Sequence, residues 1–184
     1  MVRSEILDRM PPHDDEAEEV VLAAIVRGMI VLEARSFGSG LIERCEVGDF
    51  RREWARCLFV DLRTAYRRRI ADLPSLAAFL RKGGTWGLLE QMTTNQWYFR
   101  GEERVGTGVL PWLRWWLAER SVPDTEAFEA KWLPRLRDVA IRRQTIRILT
   151  ALLADIYRID GASAVDQVAD AVSRLNVLRR GVSL

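Results

Sequence analysis

The sequence predicts an all-α protein: a compact multi-helix orthogonal bundle followed by an antiparallel helical hairpin. Three observations carry this. Apolar residues recur every three or four positions along most of the chain, the pattern of helices with one buried face. No segment shows the clean apolar–polar alternation of a half-buried strand. Near the C-terminus, two heptad-like arms flank a tight DGAS turn at 160–163.

The first helix opens within PPHDDEAEEVVLAAI at 11–25. Pro11 and Pro12 hold the entering chain extended, because proline fixes φ and restricts the residue before it. Asp14 or Asp15 is placed to cap the first turn. Asp15 and Glu18 have capping-box spacing, and Glu16, Glu18 and Glu19 favour the positive end of the helix dipole. Ala17, Val20, Val21, Ala24, Ile25, Gly28, Met29 and Leu32 then form one apolar face.

A short helix is predicted over 39–46. A stronger one runs from Asp49 to Ile70, with Trp54, Leu58, Leu62, Ala65 and Tyr66 on one side. Arg52, Arg56, Arg63 and Arg67 share another face of that helix, with Phe59 at its edge. Pro74 and Ser75 open a helix through Leu80, RKGGTWG at 81–87 is a turn, and a brief helix or turn continues through Met92.

Residues 93–123 form an aromatic-rich stretch with four of the seven tryptophans. Trp112, Trp115 and Trp116 predict a short helix begun by Pro111. Its rings, interleaved with Arg100, Arg104, Arg114 and Arg120, suit either core packing or stacking on nucleic-acid bases. The globular part is assigned to 1–123, the hairpin to 124–180 and a tail to 181–184. Within the hairpin Pro134 either kinks a helix or starts a second one.

Ile146, Leu149, Leu153 and Ile156 step by three and four, and Val165, Val168, Val172 and Leu175 do the same, so these eight residues are predicted to form the seam between the arms. Ile141, Ile148, Leu152 and Ile159 make a second stripe beside it. One partner helix cannot cover both, so the second stripe packs either on the body of the domain or on another copy.

Composition excludes much. With 48% apolar and 29% charged residues the chain is an ordinary globular one, large enough for a real core. The net charge of +2 is low for a dedicated nucleic-acid binder. Charge is nevertheless segregated. Residues 1–20 hold seven acids against Arg3 and Arg9, whereas residues 51–82 hold nine basic residues against Glu53, Asp61 and Asp72. Of 28 basic residues only Lys82 and Lys131 are lysine, which reflects either codon bias or selection for planar, bidentate contacts.

Cys45 and Cys57 are too far apart for a C-x-x-C motif and read as free thiols of a reducing compartment. Residues 20–34, the longest apolar stretch, are broken by Arg27 and Glu33, and no leader precedes them, so a cytoplasmic protein without a membrane span is expected. His13 is the only histidine, and no G-x-x-x-x-G-K-[ST] loop occurs. No catalytic, metal or cofactor site is expected.

Read together, several segments resemble one family. PPHDDEAEEVVLAAI resembles the opening of the N-terminal domain of DnaB-type replicative helicases, through Pro11, Pro12, His13, Glu16, Ala17, Glu18, Val21 and Leu22. LIERCEVGDFRREWARCLFVDL at 41–62 is similar to the family's stretch in which an aspartate–phenylalanine pair, here Asp49 and Phe50, precedes an Ile-Phe-type pair, here Leu58 and Phe59. SLAAFLRKGGTWGLLEQM at 75–92 resembles its L-x-x-x-L helix with a Gly-Gly turn. WLPRLRDVAIRRQTIRIL at 132–149 resembles the first hairpin arm, with Trp132, Leu136 and Arg143 in register. Ala55 replaces a common histidine, Pro134 interrupts the arm, and 97–123 reads as an insertion.

The resemblance spans most of 10–178 in the family's order. It implies a non-catalytic oligomerisation and docking domain acting in DNA replication. Its partners would be a second copy, in dimers or higher oligomers, and primase, a helicase loader or a full-length helicase. Family members continue into an ATPase; this chain stops at Leu184 and reads as an excised domain or a stand-alone relative. Ile148, Leu152, Ile159, Val168 and Val172 are the expected association surface. Alternatives are a nucleic-acid module using Arg52, Arg56, Arg63 and Arg67 with the tryptophans, or a regulator that mimics the helicase collar.

Overall fold

The structure, a computed structural model, describes residues 13–30, 35–93, 98–100, 103–106, 108–119, 125–158 and 161–181. It is all-α in class, with helices α1 (Asp15–Ile30), α2 (Arg35–Arg44), α3 (Glu53–Arg67), α4 (Leu73–Lys82), α5 (Thr85–Thr93), α6 (Val109–Glu119), α7 (Thr125–Ile156) and α8 (Gly161–Gly181). A 3-10 turn, Val47–Asp49, leads into α3. Two short strands, β1 (Tyr98–Arg100) and β2 (Glu103–Gly106), pair antiparallel between α5 and α6. At three and four residues they are too short for an alternation to stand out in the sequence. The chain divides into two compact units, Asp14–Leu136 and Arg137–Leu184 with Met1–His13.

The first unit is built around α1. The sequence predicts one apolar face, but Ala17, Val20 to Val26 and Met29 are all buried, and Arg27 alone among residues 20 to 29 is exposed. An apolar helix this uniform belongs at the centre of a bundle, and α2, α3 and α6 surround it. Asp14 is the cap: its Oδ1 accepts from the Ala17 N–H at 3.0 Å. Glu18, expected in a capping box at a solvated helix start, is instead turned inward and fully buried.

α3 presents Ala55, Leu58, Phe59, Leu62 and Ala65 to the core, with Trp54 and Tyr66 half-buried. Phe59 is not at the edge of an arginine face but buried beneath it, its ring 4.9 Å from that of Phe50. α4 starts at a cap on Asp72, whose Oδ1 accepts from Ser75 N–H at 2.8 Å, with proline in the first turn where no N–H is needed. The Gly83–Gly84 turn separates α4 from α5, and a Cβ at Gly83 would lie 2.9 Å from Asp61 Oδ2. A side chain there would push the Asp61 carboxylate aside.

The tryptophan helix α6 belongs to the core. Trp112 and Trp116 stack at 5.0 Å, Trp54 meets Trp112 edge-on at 6.1 Å, and Val109, Leu113 and Trp116 are buried. The first turns of α7 complete this core with Phe128, Trp132, Leu133 and Leu136. Pro134 lies inside the continuous helix Thr125–Ile156, so no second helix starts there; its exposed position lets water serve the carbonyl that its missing N–H leaves unpaired.

The second unit contains the rest of α7 and α8, which form a helical hairpin. Cys45 is buried and Cys57 half-buried, and no disulfide joins them. Among the described residues no helix is long and apolar enough to cross a membrane, and no three His, Cys, Asp or Glu side chains gather as metal ligands.

Candidate functional site

Among the described residues the hairpin carries most of the exposed large apolar side chains. On α7 they are Ile146 and Leu149, each 42% exposed, and Leu153 at 55%; Tyr157 follows at 77%. On α8 they are Val165 at 68%, Val168 at 40%, Val172 at 49% and Val177 at 66%. In the first unit only Val47 and Val60 are comparable among the described residues.

This overturns the stripe assignment made from spacing at six of the eight seam positions; Ile156 and Leu175 are half-buried, as a seam requires. Ile146, Leu149 and Leu153 on α7 and Val165, Val168 and Val172 on α8, predicted as the seam, face outward. Ile148 and Leu152, predicted as surplus surface, are half-buried and line a groove of about 220 Å³ between the arms. Ala151, Asp155, Gln167, Asp170, Ala171 and Arg174 complete its wall. The physical reason is size and polarity. Ala171, the one buried residue of α8 among those described, and Ala151 are small at the point where the arms face each other. Arg174 is held to Asp170 at 2.9 Å along this wall. Of the expected association residues, Val168 and Val172 are therefore exposed, Ile148 and Leu152 belong inside the hairpin, and Ile159 lies outside the described residues. Spacing alone misses Leu149, Leu153 and Val165 as surface; the alanines at 151 and 171 were the available signal.

The expected basic face also breaks up. Arg52 is not open to a ligand but clasped at the start of α1. Its Nε lies 3.2 Å from Glu18 Oε2, and its two NH groups donate at 2.8 Å to Glu19 Oε1 and to the Asp15 carbonyl. The guanidinium also sits 4.6 Å from the Trp54 ring centre. Arg56 and Arg63 are half-buried, Arg63 lying 5.7 Å from the Phe59 ring, and only Arg67 is fully exposed. Four residues at helical spacing share a direction, but their neighbours differ.

Glu18 links two of the motifs read from the sequence. Besides Arg52 it accepts the backbone N–H of Arg51 and, at 3.3 Å, of Arg52. These follow directly on Asp49 and Phe50, where Asp49 Oδ2 accepts from Glu46 N–H at 2.8 Å and Phe50 fills the core. The acidic opening of α1 thus holds the Asp-Phe turn that starts α3. Arg135, near the middle of α7, grips the same opening, with Nε 2.8 Å from Asp14 Oδ2. Arg143 is buried at 5% exposure.

Comparison with protein-family models, with curated proteins and with solved structures finds no match.

Proposed function

We propose that this chain is a non-catalytic self-association and partner-docking module, related to the N-terminal collar of DnaB-type replicative helicases and acting in DNA replication in the cytoplasm. One observation carries the reading: both arms of the hairpin turn an apolar stripe outward, Ile146, Leu149 and Leu153 on one and Val165, Val168 and Val172 on the other. Contiguous exposed apolar surface marks association sites. Covering a half-exposed valine or leucine contributes about 1 kcal/mol, which six such residues on each copy set against the cost of association, about 4–15 kcal/mol. The second support is the order of the family-like segments, together with the way Glu18 joins the opening motif to the Asp-Phe turn.

A second copy is the first partner of these stripes; primase, a helicase loader or a full-length helicase are the further ones. Light scattering during size exclusion tests this. The wild type should show concentration-dependent dimers or larger assemblies. Leu153→Glu should shift it to monomer with an unchanged melting temperature. Leu152→Glu should instead lower the melting temperature, because that side chain lines the groove within the hairpin. A strict monomer at high concentration, or self-association unaffected by Leu153→Glu, would overturn the reading.

A further inference from the structure

We propose that the ends of α3 and α4 form a sequence-independent binding surface for the phosphate backbone of nucleic acid. The residues are Arg67, Arg68, Arg69, Arg81 and Lys82, all exposed. The packing of the two helices gathers them. Arg68 at the end of α3 lies 5.3 Å from the ring centre of Phe79 on α4, and Arg81 and Lys82 follow two and three residues later, about 3–5 Å further along the helix.

The charge on this surface is available. Among the described residues Arg67, Arg69, Lys82, Arg68 and Arg81 make no ion pair; the Arg68 and Arg81 guanidinium groups lie over aromatic rings, Arg81 at 4.7 Å from Trp86. Of the carboxylates on these elements, Asp72 caps α4 and Glu90 accepts from Trp86 Nε1 at 2.6 Å, while Asp61 is turned toward Gly83 and makes no ion pair with a described residue. Arg52, by contrast, has its charge met by Asp15, Glu18 and Glu19.

Two features select nucleic acid over an acidic protein. A protein interface needs an apolar or aromatic centre, and here Val60 is the lone exposed large apolar residue on α3 and α4 among those described. Phosphate contacts need charge alone and suit the guanidinium fork. The rings of Phe79 and Trp86 already carry arginines, and the Trp86 N–H is held by Glu90, so they are not open platforms for bases. Recognition is therefore of backbone. Ring contacts also hold Arg68 and Arg81 in place, which lowers the entropy lost on binding.

The test is fluorescence anisotropy on the full chain with a labelled mixed-sequence DNA strand, its duplex, and a second unrelated strand, each across a salt series. Binding should weaken steeply with salt and be equal for the two strands; comparison with the duplex tells which form of backbone is preferred. The variant Arg67→Ala/Arg69→Ala/Lys82→Ala, which disturbs none of the ring contacts, should bind at least tenfold more weakly. Its slope of log affinity against log salt should fall by about 2 for three lost contacts to a single strand. Arg142→Ala/Arg174→Ala, on the hairpin, should bind like wild type. Absence of DNA binding at low salt, or equal binding by the triple variant, would overturn the proposal. So would poly-glutamate of matched charge competing as well as DNA. Because self-association is read separately by light scattering, failure of either reading is recognised without the other.

Discussion

The Glu18 carboxylate lies 3.2 Å from Arg52 Nε while its own side chain is completely buried. A buried carboxylate is tolerated only when its lone pairs are met, and here the guanidinium and two successive backbone N–H groups meet them. The arrangement fixes the entry of α3 against the first turns of α1.

Removing the acid should therefore cost more than removing an ordinary surface charge. Glu18→Ala leaves the two backbone N–H donors and Arg52 Nε without their acceptor, while the Arg52 NH groups keep Glu19 and the Asp15 carbonyl; the expected loss is about 2–4 kcal/mol. Arg52→Lys keeps the charge but not the three-way fork, and should lose about 1–2 kcal/mol. Urea denaturation of both variants measures this. A Glu18→Ala loss under about 1 kcal/mol would show that the clasp does not hold the fold.

Gly83 and Asp61 should behave as a coupled pair. A methyl group at Gly83 meets Asp61 Oδ2 at 2.9 Å, and that oxygen is buried with no hydrogen-bond partner among the described residues. Gly83→Ala is expected to cost about 1–3 kcal/mol, as overpacking does. In an Asp61→Ala background most of that cost should disappear. Additive losses in the double-mutant cycle would rule out this contact as the cause.

The acid limb of stability should carry a contribution from Asp72. Hydrogen bonds from the Ser75 backbone and then its side chain hold the Asp72 carboxyl below its ordinary value of 3.8. A group with a depressed folded-state pKa stabilises above the unfolded value and loses that contribution as pH falls through the folded one. Comparing Asp72→Ala with wild type by thermal melts should thus show a deficit at neutral pH that closes in strong acid. A deficit independent of pH would mean that the charge plays no part in the cap.

How much of this was legible depended on whether neighbours mattered. Helix positions follow from local spacing, so α3, α4, α6 and the hairpin arms are readable from Trp54 to Leu62, from Pro74 to Leu80 and from Trp112 to Trp116. Burial of Glu18 is not, because its partners are 33 and 34 residues away and its own surroundings are those of any acidic helix start. The hairpin is the sharper case. Two apolar stripes on α7 satisfy the same spacing rule, and periodicity cannot rank them. Ranking came from small residues at 151 and 171, which a count of large apolar side chains ignores. The arginine face divides for the same reason: Arg52 and Arg67 share a helix face, yet Arg52 meets Asp15, Glu18 and Glu19 and Arg67 meets no acid among the described residues.

The grip of Arg135 on Asp14 and Glu16 spans 121 and 119 residues. On the ribosome α1 emerges early, yet the cation that answers its acids, and the Phe128, Trp132, Leu133 and Leu136 that close its core, are made long afterwards. Long-range closure of this kind is slow and leaves apolar surface uncovered in the meantime. Closing the unit Asp14–Leu136 therefore joins its first residues to its last, and cutting the chain before residue 125 would remove the Arg135 grip and four core side chains together.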